Sequence, residues 1–203
     1  MLLEINPINP QQRLIDRAVK MLKSGAIICY PTDTGYGIGC DLFNNKSLKS
    51  IMQLKKRPKQ KPFSFMCSDL TDISQYAHVS NTAYRLLKKN LPGPYTFVLP
   101  GTKLVPKVMA TKQKTVGIKV PKHPIARLLL ETLGNPIVNT SVQLEDDDAI
   151  LAEPFEIEEY IGNRIDLIID AGAIYPDPSS LIDLTGDSPE ILREGKGDVT
   201  PFR

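Results

Sequence analysis

Apolar residues recur at three- and four-residue spacing in several segments of the chain. In the first, Leu14, Ile15, Ala18, Val19 and Leu22 fall on one helical face, a stripe typical of a helix packed on a sheet. Capping residues, prolines and glycines set the bounds of each segment. The predicted helices run from Pro10, with Asn9 as cap, to Gly25; from Asn45 to near Pro58; from Ser80 to Pro92; from Pro124 to Gly134; and from Glu153 to Ile161.

Short runs rich in β-branched and aromatic residues lie between these helices. Strands are predicted at residues 26–30, 63–67, 95–99, 115–120, 137–140, 167–169, 181–184 and 191–193. Strands that alternate with helices predict an α/β protein, and the close-set strands near the end of the chain add antiparallel pairing. We therefore expect one domain, over residues 1–203, built as a twisted mixed β-sheet flanked by helices.

The strand 26–30 leads into a segment of hydroxyls and glycines, Pro31-Thr32-Asp33-Thr34-Gly35-Tyr36-Gly37-Ile38-Gly39-Cys40. Pro31 halts the apolar run, and the glycines predict a loop whose backbone approaches a ligand closely. Alternatively, the glycines only supply turn geometry. Cys40 stands where a dinucleotide fingerprint needs its third glycine, and the chain has no phosphate-binding-loop motif, so a nucleotide must be held by side chains.

Charge is distributed unevenly, although the formal net charge is only +2. Residues 46–127 carry 17 Lys or Arg against two Asp, whereas residues 128–203 carry four against 17 Asp or Glu. This asymmetry favours an anionic partner on one part of the surface, although scattered lysines also occur on ordinary solvated helices. The run Glu145-Asp146-Asp147-Asp148 is interpreted as a solvated loop and not a metal site, because contiguous carboxylates without a cage rarely bind tightly.

The cysteines and the first residues of the chain help to predict the cellular compartment of the protein. Cys29, Cys40 and Cys67 lie in or beside apolar runs without metal-ligand spacing, which predicts buried free thiols. No apolar run is long enough to span a membrane, and the first residues do not resemble a signal peptide. We expect a cytoplasmic protein without a membrane partner.

A basic run follows the second predicted helix. Lys55 and Arg57 lie at the helix end, and Lys61 comes shortly after. Arginine offers a planar fork for paired phosphate oxygens and lysine a compact charge, so these side chains could hold a triphosphate. From the residue types alone, favourable interaction of lysine with the helix dipole is the preferred explanation.

Four motifs, in order, resemble those of the YrdC/YciO family. They are residues 31–39, Lys55-Lys56-Arg57-Pro58 with Lys61-Pro62, Pro92-Gly93-Pro94-Tyr95-Thr96, and Val120-Pro121-Lys122-His123-Pro124, and the match ends in Leu192-Arg193-Glu194-Gly195. Segments 9–15 and 195–202 are most similar to the YciO branch. The resemblance covers most of the chain and implies an α/β fold with a concave basic face.

YrdC members make threonylcarbamoyl-AMP for a tRNA modification. The resemblance therefore implies a synthase-like enzyme that uses ATP with Mg²⁺, bicarbonate and L-threonine or a related amino acid. This reaction resembles an adenylation, in which the protein positions the reactants and stabilises the phosphate charge. No catalytic nucleophile is therefore expected. By motif, the expected nucleotide-binding residues are Lys55, Arg57, Gln143 and Arg193. The expected substrate-binding residues are Thr34, Lys61, Lys119, Ser141 and Ser180.

Two positions depart from the family pattern. Ser141-Val142-Gln143 replaces Ser-Ala-Asn, and Lys119 replaces the usual arginine before Val-Pro. Gln143 reaches one methylene further, and Lys119 lacks the bidentate fork, so weak activity is expected. The alternative is a protein that binds double-stranded RNA or tRNA with little or no catalysis. Arg193, in an apolar run, is expected to need an anionic partner.

Overall fold

The computed structural model describes residues 1–56, 63–107, 109, 113–143 and 151–203. Over these residues the strands join into one mixed sheet, and helices cover both of its faces. The strands are β1 (Leu2–Glu4), β2 (Ile28–Thr32), β3 (Gly35–Gly39), β4 (Ser64–Met66), β5 (Tyr95–Pro100), β6 (Thr115–Lys119), β7 (Ile137–Ser141), β8 (Leu167–Asp170), β9 (Ser180–Asp183) and β10 (Glu190–Arg193). The α-helices are α1 (Gln12–Lys23), α2 (Asn45–Lys55), α3 (Leu70–Tyr76), α4 (Asn81–Asn90), α5 (Pro124–Leu133) and α6 (Pro154–Ile161).

Strand order in the sheet is β1-β8-β2-β3-β7-β4-β6-β5-β9-β10. The pairs β1–β8, β2–β8, β4–β6 and β5–β9 are parallel. The pairs β2–β3, β3–β7, β4–β7, β5–β6 and β9–β10 are antiparallel. This arrangement confirms the predicted mixed sheet, since it contains both parallel and antiparallel pairs.

Each face of the sheet carries its own apolar cluster. α1 and α5 pack on one face, where Ile15, Leu22 and Leu129 are buried together with Ile28 of β2. α2, α3, α4 and α6 cover the other face. Every residue of β2 is buried as a result, as expected for a strand covered from both sides. None of the described helices is long and apolar enough to cross a membrane.

The start of α1 differs from the prediction. Asn9 and Pro10 precede the helix, which begins at Gln12 with Gln11 as its N-terminal cap residue. The reason is a local turn, since Asn6 Oδ1 accepts hydrogen bonds from the N–H groups of Ile8 and Asn9, both at 2.9 Å. An asparagine that bonds its own backbone in this way competes with helix formation.

Two short elements, β1 and α3, are absent from the prediction. β1 has three residues and α3 has seven, too few for a periodic pattern to emerge. The α3 N-terminus does carry a capping signal, because Asp69 Oδ1 accepts the N–H of Asp72 at 2.8 Å. The other predicted helices and strands are present, with ends shifted by a few residues.

The glycine-rich segment is a strand and not a loop, which corrects a prediction. β2 continues through Pro31 and Thr32, and β3 pairs with it from Gly35 onward. Only Asp33 and Thr34 form the turn of this hairpin. Gly35 follows the turn with a φ of +113°, a conformation that favours glycine.

Gly39 of β3 shows why the segment needs glycine. A Cβ atom at this position would contact the carbonyl oxygen of Val138 on β7 and would lie 2.9 Å from Cε1 of Tyr30. Close packing against a neighbouring strand therefore explains the residue type.

The cysteines agree with the prediction. Cys29, Cys40 and Cys67 are free and buried. Burial raises the pKa of the Cys40 thiol to about 12, with Asp41 adding to the shift. Thiols protonated at neutral pH are poor nucleophiles, which suits a structural role.

Candidate active site

The turn between β2 and β3 is held by its own hydroxyl groups. Thr32 Oγ1 donates to the carbonyl oxygen of Gly35 at 2.6 Å and accepts the N–H of Thr34 at 3.2 Å. The hydroxyl groups of Thr32 and Thr34 also lie 3.2 Å apart. These bonds fix the turn, so the Thr34 side chain is presented from a rigid support.

Three lysine residues contact this turn, two near the end of β6 and one in the C-terminal segment. Lys119 Nζ, at the end of β6, donates to Thr34 Oγ1 at 3.2 Å. The backbone N–H of Lys122 donates to Asp33 Oδ2 at 2.7 Å, and Lys196 Nζ donates to the Asp33 carbonyl oxygen at 2.6 Å. The turn therefore joins the end of β6 to the C-terminal segment of the chain.

Lys119 is buried, with 7% of its surface exposed. Burial lowers the pKa of its ammonium to about 8; the charge of Asp33 opposes this shift and that of Arg193 adds to it. Lysine is normally charged at neutral pH, and loss of solvation is the usual reason for such a fall. The side chain is thus able to titrate near physiological pH.

Arg193 lies on β10, where its side chain is exposed. Its Nε and Nη2 donate to the carbonyl oxygen of Ser179 at 3.0 and 2.8 Å, and Nη2 lies 3.3 Å from Ser179 Oγ. Among the strands of the described residues, β10 is the last in the sheet order. The guanidinium thus links β10 to the backbone just before β9.

Ser180 is fully buried next to that contact. Its hydroxyl donates to the carbonyl oxygen of Gly197 at 2.6 Å and accepts the N–H of Gly195 at 3.0 Å. These bonds hold the C-terminal segment against β9. The hydroxyl predicted to bind substrate thus has two backbone partners.

A second group of predicted residues meets at the end of β7. Lys55 is 2% exposed, and its Nζ donates to the carbonyl oxygens of Ser141, at 3.0 Å, and Gln143. The N–H of Val142 donates to the carbonyl oxygen of Tyr36 on β3 at 3.1 Å. This segment is therefore linked to the hairpin that carries Thr34.

Some predicted features lie outside the described residues. They are Arg57 and Lys61 of the basic run and the acidic segment Glu145-Asp146-Asp147-Asp148. Within the described ranges, no group of three or more His, Cys, Asp or Glu side chains is placed to hold a metal ion.

A cavity of about 400 Å³ opens beside the turn. Its wall includes Asp33, Lys122 and Lys196, together with Ile174 and His123. Among the described residues, His123 Nδ1 is buried without a hydrogen-bond partner. Burial lowers the pKa of this histidine, and the charge of Asp33 partly restores it. Another cavity, of about 550 Å³, shares no lining residue with this one.

The residue-level prediction did not include Asp33, Lys122 or Lys196. Asp33 stands between two threonines at the turn, and Lys196 directly follows the motif that contains Arg193. A carboxylate in a turn is common, so the sequence alone carries no clear signal for it. The contact of Lys196 with Asp33 is set by tertiary structure.

Comparison with known proteins identifies the family. The family model Sua5_yciO_yrdC, described as "Telomere recombination", matches residues 20–195. The chain belongs to the Sua5/YciO/YrdC family. The resemblance expected from the motifs is therefore confirmed, including its YciO branch.

One group of relatives belongs to the YciO branch of the family. The uncharacterized protein YciO of Escherichia coli K12 is 45% identical over 199 residues, covering 98% of this chain and 97% of that protein. The E. coli YciO crystal structure matches with a TM-score of 0.95 and covers 100% of this chain and 99% of that chain.

Relatives from the synthase branch are more distant. The threonylcarbamoyl-AMP synthase of Coxiella burnetii (strain RSA 493 / Nine Mile phase I) is 32% identical over 183 residues, 88% of this chain and 96% of that protein. The structure of P. abyssi Sua5 complexed with L-threonine matches with a TM-score of 0.89 at 28% identity, covering 96% of this chain and 57% of that chain.

Proposed function

We propose that this protein is a threonylcarbamoyl-AMP synthase-like enzyme that uses ATP, bicarbonate and L-threonine or a related amino acid, as a step towards threonylcarbamoyladenosine in tRNA. The observation that carries the proposal is the contact of Lys119 with Thr34, beside Asp33 and Arg193. Together these side chains offer a hydroxyl, a carboxylate and two cations, which suit an amino acid that has both an ammonium and a carboxylate.

Further support comes from the relatives. One homologous structure contains L-threonine, and a homologous protein is a threonylcarbamoyl-AMP synthase. The cavity of about 400 Å³ beside the turn has a volume within the range of small-molecule sites. Its lysines Lys122 and Lys196 suit an anionic part of the reactants.

The chemical step needs no protein nucleophile. A carbamate oxygen of the amino acid attacks the α-phosphorus of ATP, the bond from that phosphorus to the bridging oxygen breaks, and pyrophosphate leaves. The protein holds the reactants in line and offsets the phosphate charge. Lys119, Arg193 and the predicted Arg57 are the cations assigned to this task.

Mg²⁺ is expected to accompany ATP. Phosphate oxygens and water are fitting ligands, because Mg²⁺ usually keeps several waters and binds substrate phosphates. When bound, the ion neutralises phosphate charge during displacement.

Two measurements test the proposal. The first is calorimetric titration with ATP, with and without L-threonine, and the second is threonine-dependent release of pyrophosphate. The variant Thr34→Val keeps the side-chain shape and removes the hydroxyl, so we expect at least a tenfold loss of threonine affinity. Thr82→Val, at an exposed position of α4, is the matched control. Wild-type protein that binds neither reactant would refute the proposed function.

A second candidate function is binding of double-stranded RNA or tRNA with little catalysis. The observation that favours it is the excess of 17 Lys or Arg over two Asp in residues 46–127. Phosphate contacts from such a surface give affinity without sequence preference. Loss of nucleotide binding in Arg57→Ala with RNA binding retained would separate the two functions.

A further inference from the structure

We propose that Lys119, in its neutral form, accepts the proton of the amino-acid ammonium group before carbamate formation. The inference rests on the proposed function and assigns a catalytic role within the same site. It starts from an amine that is buried and yet directly contacts the hydroxyl assigned to substrate binding.

The position of the amine is suitable for proton transfer. Lys119 Nζ lies 3.2 Å from Thr34 Oγ1, so a ligand group that hydrogen-bonds to Thr34 lies within reach of Nζ either directly or through one water molecule. A proton acceptor must be within this reach of the group it deprotonates. Thr34 is itself fixed by its bond to Thr32, which keeps the distance short.

Two charged groups of opposite sign act on Lys119. Asp33, on the β2–β3 turn, favours the ammonium form of Lys119, and Arg193, on β10, favours the neutral amine. With burial, the balance sets the pKa at about 8, which leaves roughly a tenth of the molecules with a neutral amine near pH 7. A general base works best with a pKa close to the operating pH.

The step balances in atoms and charge. The substrate ammonium transfers one proton to neutral Lys119 and becomes a free amine. Bicarbonate separates into carbon dioxide and hydroxide, the amine nitrogen bonds to the carbon, and hydroxide takes the second nitrogen-bound proton to form water. The products are the carbamate anion, protonated Lys119 and water, and the new ammonium lies where it can stabilise the carbamate.

The activity of the Lys119→Arg variant separates the proton-acceptor role from a simpler role as a carboxylate clamp. If Lys119 is only a weaker substitute for an arginine clamp, then Lys119→Arg should raise activity at every pH. If it accepts a proton, Lys119→Arg should lose at least tenfold in threonine-dependent pyrophosphate release near pH 7, since a guanidinium does not deprotonate in proteins. The wild-type rate should rise with pH and level off near pH 8, and the variant should lack this inflection.

Direct titration provides a readout that does not depend on turnover. Lysine labelled with ¹³C at Cε allows each side chain to be followed by NMR, with Lys119→Arg identifying the signal. We expect Lys119 to titrate near pH 8, and Lys88→Arg, a change at an exposed position, to leave that signal unchanged. Lys119 titration above pH 10 overturns the inference even if the enzyme is active.

Chemical rescue completes the test. Methylamine added to Lys119→Ala should restore part of the activity in proportion to its free-base concentration, whereas Lys88→Arg should behave as wild type. Absence of rescue, or a Lys119→Arg variant as active as wild type at pH 7, overturns the inference. If Lys119 titrates near pH 8 but the wild type neither binds threonine nor releases pyrophosphate, the proposed function fails and the assigned proton transfer falls with it.

Discussion

Lys119 should make stability depend on pH in a measurable way. Its pKa in the folded protein is about 8, below the usual 10.5. The unfolded chain therefore binds more protons between these values, and stability rises as pH increases through this window. Relative to Lys119→Met, the wild type should gain about 2 kcal/mol in free energy of unfolding from about pH 7 to about pH 10. Urea unfolding at several pH values measures the difference, and parallel curves would contradict it.

Lys55 should stabilise the fold through its hydrogen bonds at the end of β7. Its ammonium is buried and bonded to two carbonyl oxygens at the end of β7. Lys55→Met removes these donors, so we expect a loss of about 1–3 kcal/mol in stability. Amide hydrogen exchange at Val142 should also become faster. Lys46→Met, at an exposed position of the same helix, is the control; equal effects of both variants would exclude a structural role for Lys55.

At the scale of elements, close contact between β3 and β7 depends on Gly39. Gly39→Ala places a Cβ against the Val138 carbonyl oxygen and the Tyr30 ring, and backbone atoms yield less easily than a flexible side chain. We expect a loss of about 3 kcal/mol in stability, at the upper end for overpacked cores. Gly186→Ala is the control, because its nearest neighbour would be 3.8 Å away. Equal unfolding midpoints for the two variants would disprove the close-packing explanation.

The same elements show what sequence patterns can and cannot predict. α5 was predictable because an apolar stripe, Pro124 at its start and Gly134 at its end agree. The hairpin was not, because glycines that permit close strand packing look the same in sequence as glycines of a ligand loop. Candidate residues such as Thr34 followed from the family motifs, whereas the bonds of Lys122 and Lys196 to Asp33 depend on long-range packing that no local pattern encodes.

Over the whole molecule, uneven charge predicts salt-dependent RNA binding. Protein that contacts about six phosphates should lose roughly a thousandfold in affinity for double-stranded RNA between about 50 and about 200 mM salt. Sequence preference should be slight, because an A-form duplex is recognised mainly by shape and phosphate contacts. Filter binding over a salt series measures the slope.

Two charge-reversal variants locate the surface that would bind RNA. Lys46→Glu with Lys49→Glu changes exposed residues of α2 in the basic segment, whereas Lys20→Glu with Lys23→Glu makes the same charge change on α1. If the 46–127 segment binds RNA, the α2 pair should reduce affinity more and lower the salt slope by about two phosphate contacts. Equal losses would point to a general effect of net charge, and affinity that does not fall with salt would rule out phosphate-driven binding altogether. Since the α1 and α2 helices cover opposite faces of the sheet, the comparison also assigns RNA to one face of the molecule.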